Sequence, residues 1–273
     1  MLQLAKHKPK EIFLAARTQS KAEEAIAEIS QKVPESKVSF LNLDLSSLKG
    51  VKQAAEEFKT RSDRLDVLIN NAGVMALPYS KTEDGYEIQF GTNHMGHALL
   101  TRLLMPTLLK TAEEPGSDVR VLNLSSEGHQ MAPKGGIIYD QAELEKWNTW
   151  RRYGQAKLAN ILHARELQRR NPSITATALH PGVIMTGLYT TVNKSNPVLR
   201  WSTSLMSMLF MDVPGGAKNT LFLVGAPKDQ VRSSRYWKPV GKAAGGSFWH
   251  AKDEKLAQQL WDWTEKELVQ KGY

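Results

Sequence analysis

Short apolar runs, separated at regular intervals by stretches of helical spacing, constrain this chain more than any other feature. Residues 11–16 (EIFLAA) read as a buried strand, and residues 20–32 follow with Ala22, Ala25, Ile26 and Ile29 on one helical face. Residues 37–43 read as the next strand, and Ser46 or Ser47 is placed to cap a helix running through Phe58. Further strands are predicted at 65–69, 119–124 and 174–179. Helices are predicted over most of 82–110 and over 153–169, 215–224 and 253–270. Such alternation builds parallel βαβ units with helices on both faces of a sheet. The predicted fold class is α/β, a doubly wound parallel sheet, in one domain spanning residues 1–273.

A chain of 273 residues with 41% hydrophobic content has enough apolar surface for such a core. The absence of cysteine excludes disulfides and thiolate metal sites and is compatible with a reducing compartment. No run approaches the ~20 apolar residues of a membrane helix, and the opening residues do not read as a signal peptide. A cytoplasmic protein is therefore expected. The net charge of +8 would suit nucleic acid. However, Lys and Arg are interleaved with acids, as in LAKHKPKE and KTRSDRLD, so the charge reads as a solvated surface that also suits a phosphate-bearing cofactor. His94, His97, His129 and His163 lack ligand-like spacing with carboxylates, so no metal site is expected.

In a doubly wound sheet the ligand sits beyond the carboxyl ends of the strands. Arg17, Asp44, Asn70 to Gly73, Ser125, Ser126 and His180 to Val183 each follow a predicted strand. Tyr153 and Lys157, four apart, share one face of a helix. A free tyrosine titrates near ~10, too high for efficient proton transfer at neutral pH, and a nearby ammonium favours the phenolate. The pair makes chemical sense as an acid/base couple, although a Tyr/Lys spacing of four also arises by coincidence on exposed helices.

The order of Asn70-Asn71-Ala72-Gly73, then Asn93, Ser125-Ser126, Tyr153 with Lys157, and His180-Pro181-Gly182-Val183 with Thr186 resembles the short-chain dehydrogenase/reductase family over nearly the whole chain. The AKLAN around Lys157 and the late RYWKPVG are most similar to its retinol-dehydrogenase-like branch. The resemblance implies a Rossmann-like sheet. It implies that Tyr153 is the general acid in reduction and the base in oxidation. Lys157 would assist Tyr153 and hold the nicotinamide ribose. Ser126, preferred over Ser125, would bond the substrate oxygen, and Asn93 would position a water in a relay to Lys157. Asn71, Ala72 and Gly73 would line the cofactor, Asp44 and Leu45 would flank the adenine, and Val183 and Thr186 would meet the carboxamide side of the nicotinamide. His180 reads as a strand-end residue, and Trp261 and Trp263 as packing for the terminal helix.

Cofactor choice falls to Arg17. An acid after this strand would bond the ribose 2′-OH of NAD, whereas an arginine accommodates the 2′-phosphate of NADP. Ala16-Arg17-Thr18 has no acid, and Lys21 follows a turn later, so NADP(H) is predicted. A surface arginine opening a helix is the bland alternative.

The family opens with a strand and a Gly-x-x-x-Gly-x-Gly turn that cradles the pyrophosphate at a helix N-terminus. Here Met1 to His7 is similar to the middle of that first helix, and the first strand is missing. Two inner strand edges are therefore expected to go unpaired. A fragment of an ordinary enzyme, a natural short form with little activity, or a gap filled by another segment or partner would each account for this. The intact Asn93, Ser126, Tyr153 and Lys157 favour the first.

Residues 127–152 read as an insertion near the pocket, and residues 193–212 as a lid-like segment. Trp201, Leu205, Met206, Met208, Leu209, Phe210 and Met211 in that segment suit an adaptable apolar pocket. The predicted substrate is a lipophilic ketone, aldehyde or alcohol, and a homo-oligomer is compatible with the sequence. The competing prediction is a scaffold-like paralogue or fragment that does not hold the cofactor.

Overall fold

The structure, a computed structural model, describes residues 1–182, 213–244 and 249–273. A short helix α1 (Leu2–Ala5) leads into β1 (Ile12–Ala16), α2 (Gln19–Lys32), β2 (Val38–Asn42), α3 (Leu48–Arg61) and β3 (Val67–Asn70). A helical turn α4 (Ile88–Phe90) and a π-helical turn (Gly91–Met95) run into α5 (Gly96–Glu113). Then come β4 (Arg120–Leu124), α6 (Thr149–Arg170) and β5 (Thr175–Leu179). The described part ends with α7 (Val213–Gly225), α8 (Lys228–Arg232), β6 (Tyr236–Lys238), β7 (Lys242–Ala243) and α9 (Glu254–Gln270). The α/β alternation read from the sequence is thus the fold. Ser47, one of the two serines proposed as a cap, accepts from Gly50 N at the start of α3.

One boundary differs. The helix predicted over most of 82–110 starts only at Ile88. Thr82 and Tyr86 close a turn through Thr82 N to Tyr86 O at 2.8 Å, with Gly85 in the left-handed region at φ +89°. The Glu87 carboxylate then accepts from Gln89 N and Phe90 N and so opens the helix.

Strands β3, β4, β5 and β6 pair in parallel in that order, and β7 closes the edge antiparallel. All residues of β4 and β5 are buried. Their side chains alternate between two packed faces. Val121 and Ala176 pack with Leu108 and Leu167 of α5 and α6, while Leu122, Leu124 and Leu179 pack with Leu223 of α7 and Trp237 of β6. The terminal helix α9 covers α6, with Trp261 stacked on His163 at 5.1 Å and Trp263 against Tyr139 at 5.1 Å. Both tryptophans therefore pack this helix, as read from the sequence.

Strand β1 pairs only with β2, in a separate two-stranded sheet, and β3 pairs only with β4. Their other edges carry no strand among the described residues. This corrects the reading of 11–16 as a buried strand. All five residues of β1 and the first three of β3 are half-exposed, although both strands are apolar. With no neighbour on the inner side, they lack the second flank that buries β4 and β5.

Candidate active site

The chemistry-bearing residues gather where strands β3, β4 and β5 end. Ser125 and Ser126 follow β4 directly, and α6 runs past them carrying Tyr153 and Lys157 on one face. Tyr153 is 8% exposed, Lys157 6%, and the Lys157 Nζ lies 5.7 Å from the centroid of the Tyr153 ring. Burial lowers the Lys157 pKa to about 8, so this ammonium gives up its proton unusually easily.

A set of buried hydrogen bonds fixes the height of α6 against β4. The Ser125 hydroxyl donates to Lys157 O at 2.7 Å, and Asn123 Nδ2 donates to Asn160 O at 3.2 Å. Leu124 O accepts from both Lys157 Nζ, at 3.2 Å, and Asn160 Nδ2, at 2.9 Å. Ser125 is thus spent on the scaffold. Ser126 is half-exposed, and its Oγ accepts only a local bond from Gly128 N at 3.1 Å. Of the two serines, Ser126 is thus the one not tied to α6.

Asn93 sits within the π-helical turn and is wholly buried. A widened turn of this kind re-aims side chains and recurs at functional sites. Its amide grips Val74 from both sides: Val74 N donates to Oδ1 at 2.8 Å, and Nδ2 donates to Val74 O at 2.9 Å. Behind it, His97 Nδ1 donates to Asn93 O at 3.0 Å. The side chain therefore holds the loop after β3. Gly73 is sandwiched in this arrangement. A β-carbon there would fall 2.6 Å from Asn93 Oδ1 and 3.6 Å from Lys157 Nζ, so only glycine fits. Asn71 and Ala72 are exposed beside it.

The predicted adenosine-end residues lie on the other sheet. Arg17 is exposed immediately after β1. Asp44 is half-buried, with Oδ1 accepting from Ser46 N and Oγ, and Leu45 is buried. A polar cleft of about 500 Å³ opens beside Asp44, between Asn42, Ser47, Gly50, Gln53 and Glu83; neither Tyr153 nor Lys157 lines it. Val183, Thr186 and the segment 193–212, with its apolar residues from Trp201 to Met211, lie outside the described residues.

Three features escaped the sequence. The first is a buried ion pair, Arg152 Nε to Glu87 Oε1 at 3.2 Å, which pins the start of α6 one residue before Tyr153. The second is the packing of residues 127–148, which fold directly onto α6. A β-carbon on Gly154 would strike Met131 C and Ala132 N at 2.7 Å, and one on Gly128 would strike Tyr153 Cε1 at 2.8 Å. The third is a polar cluster next to Ser126. Glu127 accepts from Tyr236 OH at 3.1 Å and from Lys238 Nζ at 3.0 Å. Burial works to raise the Glu127 pKa, but Lys238 and the Tyr236 hydroxyl outweigh it and hold the carboxyl below its ordinary value. In the RYWKPVG segment the sequence signal for this cluster is Tyr236 and Lys238 at alternate strand positions, which share one face. His180, as read, follows β5 and donates its backbone N–H to Trp237 O at 2.9 Å.

Among the described residues no cluster of histidines and acids could hold a metal ion, and no helix is long and apolar enough to cross a membrane.

A doubly wound α/β frame with a Tyr/Lys couple at the strand ends defines the class. The family model for short chain dehydrogenases matches residues 2–197. The chain belongs to this oxidoreductase family, on its retinol-dehydrogenase-like side. It is 38% identical to the short-chain dehydrogenase/reductase drtF of Aspergillus calidoustus, over 97% of this chain and 88% of that protein. It is 37% identical to mouse retinol dehydrogenase 12, over 92% of this chain and 76% of that one. A solved protein from Mycobacterium paratuberculosis superposes with a TM-score of 0.70 at 31% identity, covering 97% and 86% of the two chains. The NADPH-bound carbonyl reductase from chicken fatty liver shares the fold, with a TM-score of 0.65 at 19% identity over 90% and 92%.

Proposed function

We propose that this protein is an NADP(H)-dependent oxidoreductase that interconverts a carbonyl and an alcohol on a lipophilic small molecule. The observation that carries this reading is the placement of Tyr153, Lys157 and Ser126 together at the end of β4, locked there by the Ser125, Asn123 and Asn160 hydrogen bonds. The residues present fit such a cofactor: Asn71 and Ala72 are exposed where its adenosine half would approach the backbone, and Lys157 stands where it would hold the nicotinamide ribose. A bound nicotinamide supplies or accepts the hydride. In reduction the Tyr153 hydroxyl donates its proton to the substrate oxygen, and the Ser126 hydroxyl holds that oxygen. The Lys157 ammonium stabilises the phenolate left on Tyr153. In oxidation the same groups run in reverse. Arg17, exposed after β1 with no acid beside it, supports the choice of a 2′-phosphate. The lipophilic substrate rests on the apolar, Met-rich sequence of 193–212, with Trp201 and Phe210.

One observation favours a second reading. The sheet is open between β1 and β3, where a glycine turn would otherwise offer backbone donors to the pyrophosphate. A scaffold-like protein that does not hold the cofactor would tolerate that opening. Calorimetric titration separates the two. Saturable NADPH binding, weakened selectively relative to NADH in Arg17→Ser, supports the enzyme. Absence of binding at millimolar NADPH supports the scaffold.

A further inference from the structure

Far from Tyr153, three arginines converge, and among the described residues none of them has a hydrogen bond to a carboxylate. Arg165 lies twelve residues further along α6, about 18 Å at the helical rise. Arg235 immediately precedes β6, and Arg232 ends α8. Arg232 spends its guanidinium on neutral acceptors: Thr175 Oγ1 at 3.0 Å, Pro172 O at 2.8 Å and Ile174 O at 2.9 Å. Arg235 makes one bond, to Arg232 O at 2.8 Å.

The nearby acids do not neutralise this group. Glu166 is consumed by Arg169 and Arg170, with contacts of 2.7 and 2.6 Å. Glu254 is 84% exposed and stands 3.8 Å from Arg165, too solvated to count for much. Burial lowers the basicity of Arg165, and burial together with the charges of Arg165 and Arg232 lowers that of Arg235. Between Arg165 and Arg235 lies a cleft of about 150 Å³, several times what one water needs, also lined by Glu166, Arg169, Glu254 and Ala257, with Glu166 held by Arg169 and Arg170. Arg165 Nε is itself buried without a hydrogen-bond partner among the described residues. A buried guanidinium N–H without an acceptor calls for a missing one.

We propose that Arg165 and Arg235 form a binding site for one phosphate group, separate from the strand-end site. Two guanidinium forks present planar pairs of donors, the geometry that binds a tetrahedral oxyanion bidentately. Such an anion would accept from the terminal guanidinium nitrogens of the two arginines and relieve the repulsion between Arg165 and Arg235. Free phosphate and a phosphate monoester share this chemistry.

Arginine footprinting on the unaltered full chain tests the site. Phenylglyoxal modification is followed by mass spectrometry in phosphate and in chloride of equal ionic strength. The site predicts that inorganic phosphate at ten times its dissociation constant slows modification of Arg165 and Arg235 about tenfold, because only the free fraction reacts. Protection by inorganic phosphate alone assigns the free anion, and protection by phenyl phosphate as well assigns a monoester. Phosphate should also raise Tm above the chloride value, an increment lost in Arg165→Gln and Arg235→Gln but kept in Arg17→Gln. Equal modification rates in phosphate and chloride would overturn the proposal and leave a buried water on Arg165 Nε. A Tm increment that survives both variants would overturn it as well.

Discussion

Asn93 and Val74 exchange a pair of hydrogen bonds, Val74 N to Oδ1 at 2.8 Å and Nδ2 to Val74 O at 2.9 Å, so that a side chain on a π-helical turn acts as a strand partner for the loop after β3. That loop carries Asn71, Ala72 and Gly73, and a β-carbon on Gly73 would press on Asn93 Oδ1 at 2.6 Å. Truncation by Asn93→Ala leaves two backbone groups of Val74 without partners, at about 1–3 kcal/mol each. Urea unfolding should show a loss of that order. Asn93→Asp keeps the acceptor for Val74 N and should lose less.

The two serines after β4 divide their labour. Ser125 gives its hydroxyl to Lys157 O, whereas Ser126 is half-exposed next to Tyr153's helix. Ser126→Ala should lower kcat about 10²-fold or more with little change in Tm, the scale of a lost oxyanion donor. Ser125→Ala should cost about 1 kcal/mol of stability and retain most of kcat. Steady-state kinetics beside thermal unfolding separates the two. The reverse pattern would exchange their roles.

Arg152 and Glu87 are 5% and 0% exposed in their side chains, and the pair ties the start of α6 to α4. Arg152→Met strands a buried carboxylate and should destabilise by about 3–5 kcal/mol. Burial already raises the Glu87 pKa, against the backbone N–H groups of Phe90 and Gln89 and the charge of Arg152, so losing the arginine pushes it further toward the neutral acid. The double variant with Glu87→Gln should recover much of the loss in a double-mutant cycle.

Stability should fall steeply in mild acid. Burial holds His97 and His163 at about 4, against 6.5 for an unperturbed histidine. With the folded value depressed, the unfolded chain binds more protons between these limits. The contribution is therefore whole above pH 6.5 and is lost as pH falls toward 4, by roughly 3 kcal/mol per imidazole. Tm measured from pH 7 to 4 should drop most within that window. A flat profile would mean that the two rings are hydrated in the folded protein and titrate at the unperturbed value.

Much of this was legible in the sequence because it rests on local periodicity. The strands at β2, β4 and β5 and helices α2, α6 and α9 follow from apolar spacing, and the strand-end motifs mark the site. What was not legible depends on groups distant in sequence. Glu87 and Arg152 are 65 residues apart, and Glu127 and Lys238 are 111 apart. No spacing rule connects such partners. The exposure of β1 was misjudged for a related reason: its IFLAA composition predicts burial, but burial also requires a neighbour on each edge.

The most direct test of the central claim compares NADPH-dependent reduction of a lipophilic aldehyde by the unaltered protein and by Tyr153→Phe, with NADPH affinity measured on both. The account predicts turnover in the first and a 10²–10⁴-fold fall in kcat in the second, the range for removing a general acid, at unchanged affinity. Equal turnover by the two proteins would contradict it.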